Sequence, residues 1–185
     1  MSAIVAVVDE NTVGVTGVHP VPVDFVTGQI RSVLDDIGAD AVKIGMLHSS
    51  ELIRAVRETL AAYDIRNIVL DPVMVATSGD RLLQEEAIAT LQEELVPFVR
   101  VITPNIPEAE ILLGRKIAGQ EELPQVAREL SFGRKVSVLL KAGHLHDTEL
   151  IDVFYNAETD KATPLRSMRS TRLTRTVRAA RSPRP

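Results

Sequence analysis

The chain has 185 residues, 45% of them hydrophobic and 25% charged, with a net charge of −4 and no cysteine. That length suits one well-filled core. The composition excludes disulfide-held and thiolate-metal folds and any thiol nucleophile, and no apolar run approaches the roughly 18 residues of a membrane helix. The apolar start has neither a basic flank nor a small-residue cleavage site, so it reads as a buried strand rather than a signal peptide, with a cytoplasmic location as the default.

In chain order, "AIVAVVD" (Ala3 to Asp9) predicts a strand and "VGVTGVHPVP" a second extended piece. "VDFVTGQIRSVLDDIG" carries Phe25, Val26, Gln29, Ile30, Val33, Leu34 and Ile37 at helical spacing, with Gly38 as a stop. "DAVKIGML" is a strand. "SSELIRAVRETLAAYD" is a helix capped by Ser49 or Ser50, with Leu52, Ile53, Val56 and Leu60 on one face. "RNIVLDPVM" is a strand, "EEAIATLQEELVPF" one helix, and "VRVITPN" a strand. "PEAEILLG" is a short helix with Pro107 in its first turn. "EELPQVARELSF" is a helix, "KVSVLLKAG" a strand, and "ELIDVFYN" the next strand. Strands apolar on both faces alternate with amphipathic helices, which predicts an α/β domain around a mainly parallel sheet. The alternation fails after about Pro164.

Ligands of open α/β sheets bind at the carboxyl ends of the strands. Polar groups gather there. Asp71 ends "IVLD". Asn105 follows "VITP", with Glu108 three residues on. Lys141 ends "SVLLK", and the polar turn "TSGD" (Thr77 to Asp80) follows "DPVMVA". Asp71 or Glu108 suits Mg²⁺, directly or through water, and Lys141 could balance phosphate charge, which is most of what phosphoryl transfer requires. Taken singly, each has a structural reading. Asp before Pro forms turns, and "NxxE" at a helix start is a capping box. Neither a Walker A nor a G-x-G-x-x-G string is present. His19, His48 and His146 lack ligand spacing and read as surface or loop residues. Glu85-Glu86 and Glu93-Glu94 read as solvated helix faces, the first pair near a helix N-terminus.

The run "DAVKIGML…NIVLDPVMVATSGDRLL…VITPNIPEAEILLG…LLKAGHL" closely resembles the hydroxymethylpyrimidine/phosphomethylpyrimidine kinases of thiamine biosynthesis, over roughly residues 1–160. The resemblance implies a ribokinase-like three-layer sandwich with a central, mainly parallel sheet. It also implies phosphate transfer from MgATP to hydroxymethylpyrimidine and then to its monophosphate. ATP and Mg²⁺ are the implied cofactors. A homodimer is implied as well, with no nucleic acid or membrane partner. Carried over by position, Val8, Glu10, Met46 and Val73 would bind substrate, Asn105 and Lys141 would contact ATP and phosphate, and Asp71 and Glu108 would serve the metal. The family commonly has Gln where this chain has Glu10. A carboxylate accepts but does not donate, which leaves a pyridoxal-type substrate as the nearby alternative.

Two family segments have no counterpart. The Gly-rich "AGSDSSGGAGIQAD"-like opening is absent, which implies a truncated start and a sheet that exposes an edge or an apolar face. So is "NTHGTGC", whose backbone N–H groups form the family's anion hole and whose Cys replaces the Asp base of related sugar kinases. Instead, Arg166 to Pro185 holds seven arginines and no acid, a net +7 beside the −11 of residues 1–165. The codons of Leu173 to Pro185 permit a shifted reading that spells Asn-Thr-His-Gly-Thr-Gly-Cys-Thr-Leu-Ser-Ser-Ala. This predicts a partial kinase domain over 1–165 and an out-of-frame, disordered tail over 166–185. The chain is then expected to be inactive. The competing reading is a non-catalytic remnant that binds the pyrimidine or a partner, with the tail as a basic arm.

Overall fold

The computed structural model describes residues 3, 6–10, 15–75, 82–133, 135–142 and 149–168. Strand β1 (Ala6–Glu10) pairs antiparallel with β2 (Val15–Pro20), in a two-stranded sheet of its own. The expected buried strand at Ala3 to Asp9 is therefore half of a hairpin, outside the main sheet, and both Ala3 and Ala6 are half-buried. Two extended runs so close in sequence pair with each other at the lowest loop-closure cost.

The main sheet begins after helix α1 (Val23–Asp36), which Gly38 stops at φ +66°. Along α1, Val26 is fully buried and Ile30, Val33 and Leu34 half-buried, a stripe at helical spacing. Phe25 and Ile37, expected on that apolar face, fall off the stripe and are exposed. Then come β3 (Val42–Ile44), α2 (Ser50–Ala61), β4 (Ile68–Leu70) and α3 (Glu85–Thr90). They are followed by β5 (Val101–Ile102), α4 (Ile106–Leu113), α5 (Leu123–Glu129), β6 (Ser137–Leu140), β7 (Glu149–Asn156) and β8 (Lys161–Met168).

Spatial order repeats chain order, β3-β4-β5-β6-β7-β8. Pairing is parallel from β3 to β6 and antiparallel from β6 to β8. The expected mainly parallel sheet flanked by helices is present, with an antiparallel end that the sequence reading did not foresee. The β7–β8 turn is built by Asn156, whose Oδ1 accepts from the N–H groups of Glu158 and Thr159 at 2.9 and 3.2 Å, and by Asp160 at φ +53°. Strand β8 continues to Met168, past the boundary set at residue 165, and residues 169–185 of the tail lie outside the described ones.

One lateral row fixes the core. Ile44, Leu70, Ile102 and Val138 sit side by side on four neighbouring strands, at 6%, 0%, 0% and 0% exposure. Helix α2 adds Leu52, Ile53, Val56 and Leu60, all buried as the spacing predicts, and Ser49 Oγ caps it by accepting from the Leu52 N–H at 3.3 Å. The predicted single helix from Glu85 to Phe98 is instead α3, a π-helical turn (Leu91–Leu95) and a 3₁₀ turn (Val96–Phe98). The winding changes ahead of Pro97, which has no N–H for an α-helical bond and whose ring crowds the carbonyl four residues back, and Leu91, Leu95 and Val96 are all buried. The outer edge of β3 is unpaired among the described residues and adjoins an apolar groove of about 240 Å³ lined by Ile30, Leu34, Val42, Ile44, Val56 and Leu60.

Candidate active site

Because β3 to β6 run parallel, their carboxyl ends lie on one side of the sheet, and the residues just past them form the candidate site. Asp71 follows β4. Its N–H donates to the Ile44 carbonyl at 2.8 Å, and its own carbonyl accepts from the Val73 N–H at 2.8 Å. That three-residue turn centres on Pro72, whose ring suits the φ required. Lys141 follows β6. It bridges Asn105 in parallel register, and its N–H donates to the Pro104 carbonyl at 2.9 Å. The next residue is tied down as well, since the Ala142 N–H donates to Asp152 Oδ1 of β7 at 2.8 Å.

These backbone anchors bring two predicted side chains into contact. Lys141 Nζ donates to Asp71 Oδ1 at 2.8 Å. A third group, absent from the sequence reading, completes the cluster: Lys43 Nζ lies 3.0 Å from Asp71 Oδ2. The signal for Lys43 was the strand period. Val42 and Ile44 line the groove beside α1 and α2, so strand alternation turns Lys43 to the other face. Its register partner Val69 stands two residues before Asp71, on that same face. Burial pushes the Asp71 carboxyl up, but the hydrogen bonds from Lys141 and then Lys43 outweigh it and hold the group below its usual range. Asp71 is a carboxylate at neutral pH, each oxygen facing an ammonium.

Asn105 and Glu108 form a complete capping box at the start of α4. Asn105 Oδ1 accepts from the Glu108 N–H at 2.9 Å, and Glu108 Oε2 accepts from the Asn105 N–H at 2.8 Å. Glu108 is 3% exposed. Its burial pushes the carboxyl above the usual range, opposed by the Asn105 N–H and the Lys141 charge. The helix ends on Gly114 at φ +66°. The structural reading of "NxxE" is thus realised in the geometry, with Glu108 also within electrostatic reach of both Lys141 and Asp71.

A raised carboxyl pKa gives Glu108 a definite pH signature. The folded chain keeps the Glu108 proton where the unfolded chain has lost it, so the contribution of Glu108 is greatest in acid and declines as pH rises through its elevated value. Glu108→Gln cannot titrate, whereas Asp71, held low by its two lysines, titrates in both proteins below the range in which Glu108 does. Urea unfolding at pH 4.5 and 7 should show wild type losing ground to Glu108→Gln at the higher pH. A constant difference would refute the assignment.

Met46 and Val73 are half-buried in the segments following β3 and β4. Val8 and Glu10 lie on β1, opposite Val18 and Val15, in the separate hairpin; their backbones are described and their side chains are not. Thr77 to Asp80, Gly143, His144 and His146 lie outside the described residues. His48 is half-buried and structural, its Nδ1 2.9 Å from the Leu82 carbonyl. Glu85 and Glu86 occupy the first turn of α3, as expected, and Glu94 pairs with Arg54 at 2.8 Å. Among the described residues, no group of three or more His, Asp or Glu side chains could hold a metal, and no helix is long and apolar enough to cross a membrane. Of the two candidate metal carboxylates, Glu108 has Oε2 committed to the Asn105 N–H, and Asp71 has a lysine on each oxygen, so a hydrated Mg²⁺ held through water fits Asp71 only where one of those lysines moves aside.

Residues 1–175 match the family model described as phosphomethylpyrimidine kinase. The hydroxymethylpyrimidine/phosphomethylpyrimidine kinase of Escherichia coli (strain K12) is 44% identical over 161 residues, 86% of this chain but 60% of that enzyme. The chain therefore spans less than two thirds of that curated relative. Among solved structures, a phosphomethylpyrimidine kinase from Clostridium difficile 630 superposes with a TM-score of 0.77 at 37% identity, covering 90% of this chain and 71% of that one. A Staphylococcus aureus pyridoxal kinase in complex with AMP-PCP and pyridoxal gives a TM-score of 0.76 at 28% identity, covering 90% and 59%. The architecture is accordingly the ribokinase-like one that the sequence implies.

Proposed function

Since the chain belongs to the phosphomethylpyrimidine kinase family, we propose that its strand-end cluster serves phosphate transfer from ATP to hydroxymethylpyrimidine and its monophosphate. The observation that carries this reading is the Lys141–Asp71 pair, 2.8 Å apart where β4 and β6 end. An ammonium and an ionised carboxylate at that place match the needs of phosphoryl transfer, which are charge neutralisation and positioning.

In this reading Lys141 binds a nucleotide phosphate. Asp71 holds the Mg²⁺ that accompanies it, across water, and that ion would neutralise charge on the phosphates. Asn105 and Glu108 set the start of α4 and hold that edge of the site in place. Met46 and Val73 flank the pyrimidine ring, with Val8 and Glu10 contributing from the hairpin. The pyrimidine is favoured over pyridoxal by the relatives' identities, 37% against 28% for the two structures compared. A homodimer and a cytoplasmic location belong to the same proposal.

The chain contains no Cys and no Gly after Gly143. It therefore carries neither the sulfur base nor the glycine-rich phosphate turn that the family resemblance implies. Loss of one oxyanion-type donor costs about 10²–10³ in rate. Purified 1–185 is expected to be stabilised thermally by MgADP, while its ATP-dependent phosphorylation of hydroxymethylpyrimidine runs at least about 100-fold below the E. coli relative. No shift in melting temperature at saturating MgADP would overturn the kinase reading. Turnover equal to the relative's would overturn the deficit.

A further inference from the structure

Each Asp71 oxygen is paired with a lysine. Oδ1 accepts from Lys141 at 2.8 Å and Oδ2 faces Lys43 at 3.0 Å. The two lysines come from different places. Lys43 projects from within β3, the outer strand, and Lys141 from just past β6. The Asp71 side chain is 18% exposed, so the pairing is partly shielded from water, while Lys43 itself reaches in from a 67% exposed position. With Glu108 ionised, these four groups sum to zero charge. A bare divalent cation at the cluster finds an ammonium beside each Asp71 oxygen. An anion meets the same two ammonium groups as donors.

We propose that Lys43 is a positioning residue that closes Asp71 to free divalent cations, so that the site accepts a phosphate-bearing ligand first and a cation only in its company. What the site receives rests on the phosphoryl-transfer reading above; the closure itself rests on the three side chains. Lys141 can swing to an arriving phosphate and release Oδ1. Lys43 stays on Oδ2 and keeps the carboxylate aimed. Removing Lys43 makes the cluster net negative and bares one oxygen. Removing Lys43 from a background without the Asp71 carboxylate should accomplish nothing, because the cation then has no oxygen to gain.

The probe is Mn²⁺ alone, titrated into the ligand-free chain at low ionic strength and followed by electron paramagnetic resonance. Lys43→Met should bind Mn²⁺ about tenfold more tightly than wild type, the size expected from deleting one nearby like charge in a largely aqueous setting. Lys43→Arg, which keeps the charge and the reach, should stay within about twofold of wild type. Lys43→Met combined with Asp71→Asn should lose the gain. Urea unfolding of each variant verifies folding, and Lys43→Gln replaces the Met variant if that one does not fold. Wild type binding Mn²⁺ as tightly as Lys43→Met overturns the proposal, and so does a gain that survives in the Asp71→Asn background. No nucleotide is involved. A chain with the expected Mn²⁺ pattern but no MgADP stabilisation would refute the kinase reading alone; the reverse would refute the role of Lys43 alone.

Discussion

Replacing Leu70 by Ala is expected to lower the free energy of unfolding by about 3 kcal/mol, the middle of the range for a large-to-small change in a packed core. Leu70 is fully buried at the centre of the row Ile44–Leu70–Ile102–Val138, with a strand on either side. Neighbours held by two sets of ladder hydrogen bonds close poorly over a cavity, so little of the lost contact is recovered. Domains of this size hold about 5–15 kcal/mol in total, and the substitution removes a large fraction of that. The same change at exposed Leu165 on β8 should cost less than about 1 kcal/mol. Urea denaturation of both variants checks the pair. A Leu70→Ala loss below about 1 kcal/mol would mean that the row is not the centre of the core.

The largest functional effect is expected at Lys141. Lys141→Met should weaken ADP binding by about 10–100-fold, the equivalent of one charge-assisted hydrogen bond to phosphate. Two terms add. The donor is lost, and the Asp71 Oδ1 it had occupied at 2.8 Å turns its charge on the incoming phosphate. Stability should change little, by about 1 kcal/mol or less, since the Lys141 side chain is 38% exposed and the pair is screened. Calorimetric titration of ADP without metal isolates the lysine–phosphate contribution. Unchanged affinity, with the variant folded, would remove Lys141 from the phosphate site.

Much of this could be read from residues alone, for reasons that differ from element to element. The parallel strands were legible because each is a short apolar run bounded by turn formers, and a strand buried on both faces leaves that trace. The ends at Asp71, Asn105 and Lys141 were legible because a polar residue closing such a run is conspicuous. Partnership was harder. Nothing local in "AIVAVVD" distinguishes a strand of the central sheet from one arm of a hairpin, since that depends on which edge is free when the chain collapses. Strand β8 was missed although "NAETDK" carries the Asn and Asp of a tight turn, because "KATPLRSM" is only weakly apolar and holds a proline. The winding change from Leu91 does have a sequence signal, since Pro97 lacks the N–H that a continuous α-helix would need there, but the extent of the change is set by the packing. Lys43 carries no signal of its own in the sequence, being one lysine inside an apolar strand. Its significance lies in a register between β3 and β4 that only the folded sheet supplies. The roles of Val8 and Glu10 depend on side chains beyond the described ones.

The agreement between spatial and sequential strand order from β3 to β8 bears on biogenesis. A polypeptide emerges from the ribosome amino end first, at roughly 5–20 residues per second. Each new strand here finds its neighbour already synthesised, so the layer can grow outward in one direction as translation proceeds. No strand of this set waits for a later one to be inserted between it and its partner, which spares the nascent chain the long-lived gaps where misassembly begins.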